Sequence, residues 1–240
     1  MTSVAAEYGN LDPARTDCPY VIIGAMRSHT RGLIAALVVA SSFLLAAGCS
    51  SDDAASTSTT AADGELSGYT REPTPSVADL QLPLVGGAGS IPVAADPGDL
   101  RIVYFGYTSC PDVCPTTLSD LKRALAQLPA DEADRVQVVM VTIDPDRDVD
   151  EKLGAYVTTF IEDGQASRIT DPAVLESTAG VFGAQYSVTT DAEGEVEVSH
   201  SADLYAVDDQ GDIVLQWPFG TSYEDLASDL SSLLADRASA

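Results

Sequence analysis

Apolar residues recur with two different spacings from residue 77 onward, and their alternation predicts a mixed α/β domain. Continuous apolar runs at residues 101–107 and 136–143 are typical of strands, the second of them buried on both faces of a sheet. Between them, leucines three and four residues apart predict an amphipathic helix over residues 115–128. The other predicted elements are a β-hairpin at 80–95, helices at 150–162, 172–180 and 222–235, and strands at 202–207 and 213–217.

The order of these elements, β-α-β-α-(α)-β-β-α, indicates how they assemble. The strand, helix and strand near the start imply a right-handed parallel pair. The segment from Asp208 to Asp212 is a hairpin turn signal, so the last two strands join the same sheet in antiparallel fashion. Ser222 is expected to cap the last helix. This order is typical of the thioredoxin-like fold, in which helices flank a mixed central sheet.

The N-terminal region has the layout of an export signal. Residues 32–48 carry no charge, follow Arg31 and precede Cys49, as in a secretory signal peptide. An uncleaved membrane anchor is the alternative, and both alternatives export the rest of the chain because basic residues stay inside. The ending Leu45-Ala-Ala-Gly-Cys49 resembles a bacterial lipobox, which predicts lipidation of Cys49. Met26 would begin a well-proportioned signal peptide and is a candidate translation start.

These features predict three regions in the chain. The polar segment after Cys49 has too little apolar content to fold and reads as a tether that holds a domain off a membrane surface. The predicted regions are an N-terminal extension and signal peptide at 1–48, the lipidated cysteine and flexible tether at 49–76, and the folded domain at 77–240.

Charge and cysteine content limit the functions that the chain can have. Lys and Arg number 12 against 37 Asp and Glu, a formal net charge of −25, which disfavours nucleic acid as a partner. The chain has four cysteines and two histidines. Cleavage before Cys49 removes Cys18 and His29, and lipidation occupies Cys49. The mature domain then keeps the thiols and the imidazole of Cys110, Cys114 and His200.

The two remaining cysteines lie between the first buried strand and the amphipathic helix, in Cys110-Pro-Asp-Val-Cys114. A spacing of four at a helix entry brings both side chains to the same side. The positive end of the helix dipole favours thiolate over thiol. Such a pair can form a disulfide, bind a metal ion or alternate between the two states in an exported protein.

His200 is predicted to complete a ligand set. It is expected to enter the strand that ends at Val207, beside the first strand, so that it lies near the cysteines. Two thiolates and an imidazole suit copper(I), and the same set could hold zinc with an open position. Zinc would leave an adjacent, oxidisable cysteine pair without an obvious purpose.

A third motif, Asp144-Pro-Asp-Arg-Asp148, follows the second buried strand at the same edge of the sheet. One interpretation is a proline turn with an aspartate that caps the next helix. The other is a supporting loop, in which Asp144, Arg147 and Asp148 frame the metal site or dock a partner.

Three sequence blocks together resemble the SCO/SenC family of copper proteins. They are Tyr104-Phe-Gly-Tyr-Thr-Ser-Cys-Pro-Asp-Val-Cys-Pro115, Thr142-Ile-Asp-Pro-Asp-Arg-Asp148 and Ser199-His-Ser-Ala-Asp-Leu-Tyr205. The resemblance implies a thioredoxin-like fold and one copper ion per chain, held by Cys110, Cys114 and His200. It also implies assembly of the dinuclear copper centre of cytochrome c oxidase on the outer face of the membrane.

The partners that the resemblance implies are the copper-bearing subunit of the oxidase, an upstream thiol reductant or copper donor, and the membrane through the lipid anchor. Members of the family act as metallochaperones, as thiol reductants that prepare the target's cysteines, or as both. In the second role the redox pair Cys110 and Cys114 is the reactive group.

The sequence also bears on three rival functions. A general thiol–disulfide oxidoreductase normally carries Cys-x-x-Cys and a facing cis-proline, whereas here three residues separate the cysteines and no proline lies between Pro172 and Pro218. A peroxiredoxin requires threonine three residues before its reactive cysteine, and that position holds Tyr107 or Pro111. A copper or redox sensor that delivers no metal remains an alternative.

Overall fold

The computed structural model describes residues 66–238. The predicted signal, the lipidation site at Cys49 and the predicted tether before residue 66 lie outside the described residues. Within 66–238, no helix combines the length and the apolar composition needed to cross a membrane.

The described residues form nine strands and five α-helices. The strands are β1 (Gln81–Pro83), β2 (Ser90–Pro92), β3 (Leu100–Gly106), β4 (Val136–Thr142), β5 (Gln165–Ser167), β6 (Tyr186–Thr190), β7 (Val196–His200), β8 (Leu204–Val207) and β9 (Ile213–Trp217). The helices are α1 (Val113–Leu125), α2 (Ala130–Ala133), α3 (Asp150–Phe160), α4 (Pro172–Phe182) and α5 (Tyr223–Ala238).

The central sheet is mixed, as predicted, with the strand order β5-β4-β3-β8-β9. β3 pairs parallel with β4 and antiparallel with β8, so it is hydrogen-bonded along both edges. Every residue of β3 is buried, which explains its continuous apolar sequence. The central position of β3 fixes where its carboxyl end, and the loop that follows, emerge from the sheet.

Helices cover both faces of this sheet. Successive side chains of a strand point to opposite faces. The Tyr104 ring lies on the face that carries α1, whose Cys114 it approaches. The next residue, Phe105, makes an edge contact with Phe182 of α4 at a centroid distance of 5.2 Å. The domain is therefore a sandwich of helix, sheet and helix.

Most predicted elements are confirmed, with shifts of two or three residues at their ends. The hairpin at 80–95 is β1 and β2, and Ser222 caps α5 by accepting a hydrogen bond from the Asp225 amide at 3.1 Å. Three further features are not predicted by the sequence pattern: β5, the short α2, and the hairpin of β6 and β7.

The β6–β7 hairpin corrects the predicted position of His200. This residue ends β7 and does not enter the strand that leads to Val207, which begins at Leu204. The hairpin turns at Asp191, whose carboxylate accepts hydrogen bonds from the amides of Glu193 and Glu195 at 3.0 and 2.8 Å. Its strands are largely exposed, so they lack the apolar alternation that marks a half-buried strand.

The folded domain begins before the boundary predicted at residue 77. Tyr69 and Gln216 of β9 exchange two backbone hydrogen bonds of 2.9 Å. The amides of Ser67 and Gly68 donate to the Asp229 carboxylate at 3.0–3.1 Å. Polar composition suggested a tether here, but β9 and Asp229 supply partners for this backbone.

Asp229 anchors three parts of the domain and should be important for stability. Its buried carboxylate also accepts the indole N–H of Trp217 at 2.8 Å. We expect Asp229→Ala to lower the free energy of unfolding by about 3 kcal/mol, because buried donors would lose their acceptor. Chemical denaturation measures this, with Ser228→Ala on the exposed side of α5 as the matched control. Equal unfolding free energies for the two variants would contradict the anchoring role.

Candidate metal centre

The loop between β3 and α1 positions the two cysteines. Cys110 lies in this loop, and Cys114 lies in the first turn of α1. The Cys114 amide donates to the Cys110 sulfur at 3.3 Å, and the Cys110 amide donates to the Tyr107 carbonyl at 3.3 Å. Both thiols are free and buried. The helix entry therefore holds the two sulfur atoms on one side, as the spacing predicts.

His200 meets this pair from the β6–β7 hairpin. Its Nε2 lies 3.5 Å from the Cys114 Sγ, and one ligand atom from each of Cys110, Cys114 and His200 lies within 4.8 Å of the others. β8 runs antiparallel to β3, so the chain that enters β8 arrives at the carboxyl end of β3. The predicted neighbourhood of His200 is confirmed, although the strand that carries it was predicted wrongly.

The His200 ring is oriented so that one of its nitrogens can bind a metal ion. Its Nδ1 lies 2.9 Å from the Ser201 carbonyl oxygen, which can only accept, so Nδ1 carries the proton and donates. Nε2, which faces Cys114, then keeps its lone pair for a metal ion. Burial lowers the pKa of His200, against the opposing effect of the Ser201 and Phe105 carbonyls. The imidazole is thus neutral and ready to coordinate at neutral pH.

The Cys114 thiol is harder to ionise than the sequence suggested. Burial raises the pKa of Cys114 to about 12, and this exceeds the lowering by a hydrogen bond from Tyr104 and by the backbone at Tyr107. The expectation that the helix N-terminus favours thiolate is wrong for Cys114, because loss of water outweighs the helix dipole. A bound cation is needed to replace this proton near neutral pH.

Aromatic side chains enclose the cluster. The rings of Tyr104 and Tyr107 make edge contacts with the His200 ring, at centroid distances of 6.4 and 5.7 Å. Gly106 allows the close approach, since a Cβ there would lie 2.7 Å from the Tyr104 ring and 3.1 Å from the Cys114 Sγ. Sequence reasoning gave these three residues no role. The period of two that places residues 104 and 106 on one strand face was the available signal.

The loop after β4 is hydrogen-bonded to the loop that carries Cys110. Asp148 is fully buried and accepts hydrogen bonds from the Thr108 amide at 2.9 Å and from the Thr142 hydroxyl at 2.7 Å. The Thr108 hydroxyl and, at 3.7 Å, the Lys152 ammonium also contact this carboxylate. Asp148 therefore ties the loop that carries Cys110 to the end of β4.

Asp144 and Arg147 form an ion pair at the rim of the same site. The Arg147 guanidinium also lies 6.0 Å from the centroid of the Tyr107 ring. The alternative of a helix-capping aspartate is not what the geometry shows, because Val149 is the N-cap of α3 and makes no side-chain cap bond. Among the described residues, none of Asp144, Arg147 and Asp148 joins the cluster of ligand atoms, and their framing of the site stays a prediction.

The donor set defines which metal ions fit. Two thiol sulfurs and one imidazole nitrogen, half-buried or buried, suit a soft ion such as copper(I) in three-coordinate form. Zinc would use the same donors and leave a fourth position open. The residues present therefore fit one copper ion, as the sequence analysis predicted.

Sequence comparison finds relatives that match part of the chain. A protein of Stutzerimonas stutzeri named for copper binding is 35% identical over 116 residues, which are 48% of this chain and 56% of the relative. An SCO2-like protein of Rickettsia prowazekii is 32% identical over 119 residues, again 48% of this chain and 56% of the relative. The chain thus spans about half the length of the curated relatives it matches.

Solved structures match more of the domain. The apo Sco1 protein from Thermus thermophilus gives a TM-score of 0.61 at 31% identity, covering 72% of this chain and 99% of that one. Copper-bound ScoI of Bradyrhizobium japonicum gives a TM-score of 0.55 at 26% identity, covering 64% of this chain and 96% of that one. These similarities confirm the predicted thioredoxin-like fold.

The sequence model of one family, SCO1/SenC, matches residues 93–235. This match includes the cysteine loop, the loop after β4 and the hairpin that carries His200, so it spans the whole candidate metal centre. The resemblance inferred from the three sequence blocks is thereby confirmed, and the chain belongs to the SCO1/SenC family.

Proposed function

We propose that this chain is an extracytoplasmic metallochaperone that delivers copper for the dinuclear copper centre of cytochrome c oxidase. One observation carries the proposal: the ligand atoms of Cys110, Cys114 and His200 converge within 4.8 Å, with both cysteines buried and His200 half-buried. The copper named in the descriptions of the Stutzerimonas and Bradyrhizobium proteins supports it. The partner is the copper-bearing subunit of the oxidase.

Capture of the copper cargo uses the properties of each donor. His200 offers a neutral Nε2, fixed by its bond to Ser201. Cys110 and Cys114 must be reduced, since a disulfide has no thiolate to donate, and each must lose its thiol proton. The aromatic rings of Tyr104 and Tyr107 limit access of water to the donors. Ligand exchange with the partner then removes the ion.

Position at the membrane is part of the same proposal. The lipobox-like sequence supports lipidation of Cys49 and export of the domain to the outer face of the cell membrane. Anchoring would keep the metal centre near the membrane-bound oxidase subunit and raise its effective concentration there. An upstream thiol reductant or copper donor would restore the loaded state.

A dithiol reductant is the second candidate function. The Cys114 amide lies 3.3 Å from the Cys110 sulfur, so the two thiols are adjacent and both are free. In this role a disulfide of the target is reduced to two thiols, while Cys110 and Cys114 lose two protons and two electrons to form their own disulfide. This alternative needs neither His200 nor a metal ion, which separates it from delivery.

The copper stoichiometry of the reduced chain tests the three-donor site. We expect one copper(I) per chain, and we expect His200→Ala to weaken the affinity at least tenfold because it removes one of three donors. Anaerobic competition with a chromophoric chelator measures both. The other histidine supplies the matched control, His29→Ala. Copper binding that is indifferent to His200 would favour the dithiol reductant.

Copper affinity should rise with pH. The metal-free Cys114 thiol is protonated below its pKa of about 12, whereas the coordinated sulfur is a thiolate. Loss of this proton raises the apparent affinity by about tenfold per pH unit across the neutral range. The same competition assay between pH 6.5 and 8.5 measures the slope, and Cys114→Ser should reduce it by one proton. An affinity independent of pH would contradict coordination by this sulfur.

Delivery predicts an effect in cells. A strain that carries Cys110→Ser and Cys114→Ser should assemble oxidase with less copper, because the chain can no longer take up its cargo. Metal analysis of the purified oxidase measures this, and Cys18→Ser is the matched control. Unchanged oxidase copper in the double variant would exclude delivery, and the sensor alternative would then be favoured.

A further inference from the structure

A groove borders the two-stranded ribbon of β6 and β7. Its volume is about 760 Å³, and its walls come from the loop after β4, from α4 and from the start of β6. Pro145 and Leu175 give it apolar surface, and four consecutive residues, Gln185 to Val188, line its third wall. Successive side chains of a strand point to opposite faces. A wall of consecutive residues is therefore the edge of the strand and not one of its faces.

The edge of β6 that borders the groove is unpaired. β6 pairs with β7 on its other side, and no third strand joins this ribbon among residues 66–238. In an antiparallel pair, alternate residues direct their N–H and C=O groups to the partner strand, and the residues between them direct theirs away. The Gln185 carbonyl accepts from the Ser201 amide at 2.8 Å, and the Asp191 amide donates to the Glu195 carbonyl at 3.0 Å. The odd-numbered residues of β6 therefore face β7.

The backbone groups of Tyr186 and Val188 consequently point toward the groove. Within the described part of the chain, neither residue has a backbone hydrogen-bond partner outside the ribbon. A row of outward N–H and C=O groups is a template for another strand. Extended segments of partner proteins bind such edges through their backbone, and pockets beside the edge select their side chains. The groove supplies such a pocket along the start of β6.

The charge of the groove indicates which kind of segment it accepts. Asp146 and Glu176 line it with exposed side chains, and neither of them makes an ion pair with another residue of the described domain. The cations in the adjoining segments, Arg147 and Arg168, are already paired with other aspartates. Lys or Arg side chains on the bound segment would complement the two free carboxylates, whereas acidic side chains would be repelled.

We infer that this groove binds a basic, extended segment of a partner protein, which joins the free edge of β6 as a third strand. The backbone of the segment pairs with that of Tyr186 and Val188, and its apolar side chains pack on Pro145. Its Lys or Arg side chains pair with Asp146 and Glu176. The groove thus recognises a segment in which basic and apolar residues alternate.

A second copy of this chain fits the groove less well than a basic segment does. Each copy carries a formal net charge of −25, so two copies repel each other. The inference does not depend on copper delivery, because none of the recognition groups in the groove is a metal ligand. Tyr186 is opposite His200 in the ribbon. A segment bound to β6 therefore brings its protein to the side of the domain that carries the metal centre.

Amide exchange tests the added strand directly. The probe is the peptide acetyl-Thr-Lys-Val-Lys-Val-Thr-amide, added to the full, reduced, metal-free chain, and NMR spectroscopy follows the exchange of single amides. We expect saturating peptide to slow the exchange of the Tyr186 and Val188 amides by about tenfold, because the new hydrogen bonds must open first. The amides of Ser187 and Thr189 already face β7 and should keep their rates. Unchanged exchange at Tyr186 and Val188 would overturn the inference.

Charge variants test the nature of the segment, with fluorescence anisotropy of the labelled peptide as the measure of affinity. We expect Asp146→Asn combined with Glu176→Gln to weaken binding by about fivefold at low ionic strength, because two unpaired carboxylates are lost. The matched control is Asp131→Asn combined with Glu162→Gln, which removes two exposed acids that precede β4 and β5 at the opposite end of the sheet. The control should bind as the parent does.

A peptide with glutamate in place of both lysines tests the sign of the charge on the segment. This peptide should not bind the parent chain, because its carboxylates face those of the groove. Equal affinities of the two double variants, or binding of the acidic peptide as tight as that of the basic one, would overturn the inference. Equal melting temperatures of the parent and both double variants show that the substitutions leave the domain folded.

Sedimentation velocity of the parent chain without peptide tests the other occupant. A monomer whose Tyr186 and Val188 amides exchange freely supports a groove that is open to a partner. A dimer in which these two amides are already protected shows that a second copy covers the edge, which overturns the inference. If the parent chain takes up no copper, the proposed delivery is wrong, and the exchange rates still decide whether β6 accepts a third strand.

Discussion

The pairing of β3 on both edges is the constraint on which the metal centre depends. Parallel pairing with β4 and antiparallel pairing with β8 bring three chain segments to the carboxyl end of β3. These are the cysteine loop, the loop that contains Asp148, and the end of the hairpin that carries His200. Residues distant in sequence therefore meet at one edge, whereas a β3 at the border of the sheet would have only one of these two neighbouring strands beside it.

Burial determines the ionisation of the side chains at this edge. The enclosure that raises the pKa of Cys114 to about 12 also lowers that of His200, so these two donors form an uncharged set in the metal-free protein. An uncharged set is less costly to bury than free thiolates would be. When a metal cation binds, Cys114 loses its proton, and the positive charge of the ion and the negative charge of the thiolate compensate each other.

Much of the fold could be predicted from the sequence, because leucine spacing and continuous apolar runs report burial directly. The β6–β7 hairpin could not, since its strands are exposed and its residues show no clear alternation. His200 was nevertheless placed near the cysteines, because the antiparallel strand after it had been recognised. The support of Ser67 and Gly68 by Asp229, like the contact of Tyr104 with Cys114, depends on residues far apart in sequence, which periodicity does not reveal.

The three donor residues lie on elements that differ in their stability against local unfolding. Cys110 lies in the loop that joins β3 to α1 and Cys114 in the first turn of α1, whereas His200 lies at the end of a two-stranded ribbon outside the central sheet. Opening such a peripheral ribbon costs far less than global unfolding. The imidazole can depart while both sulfurs stay in place, so the resistance of the protein to heat and the residence time of a bound metal ion are separate quantities, open to independent selection.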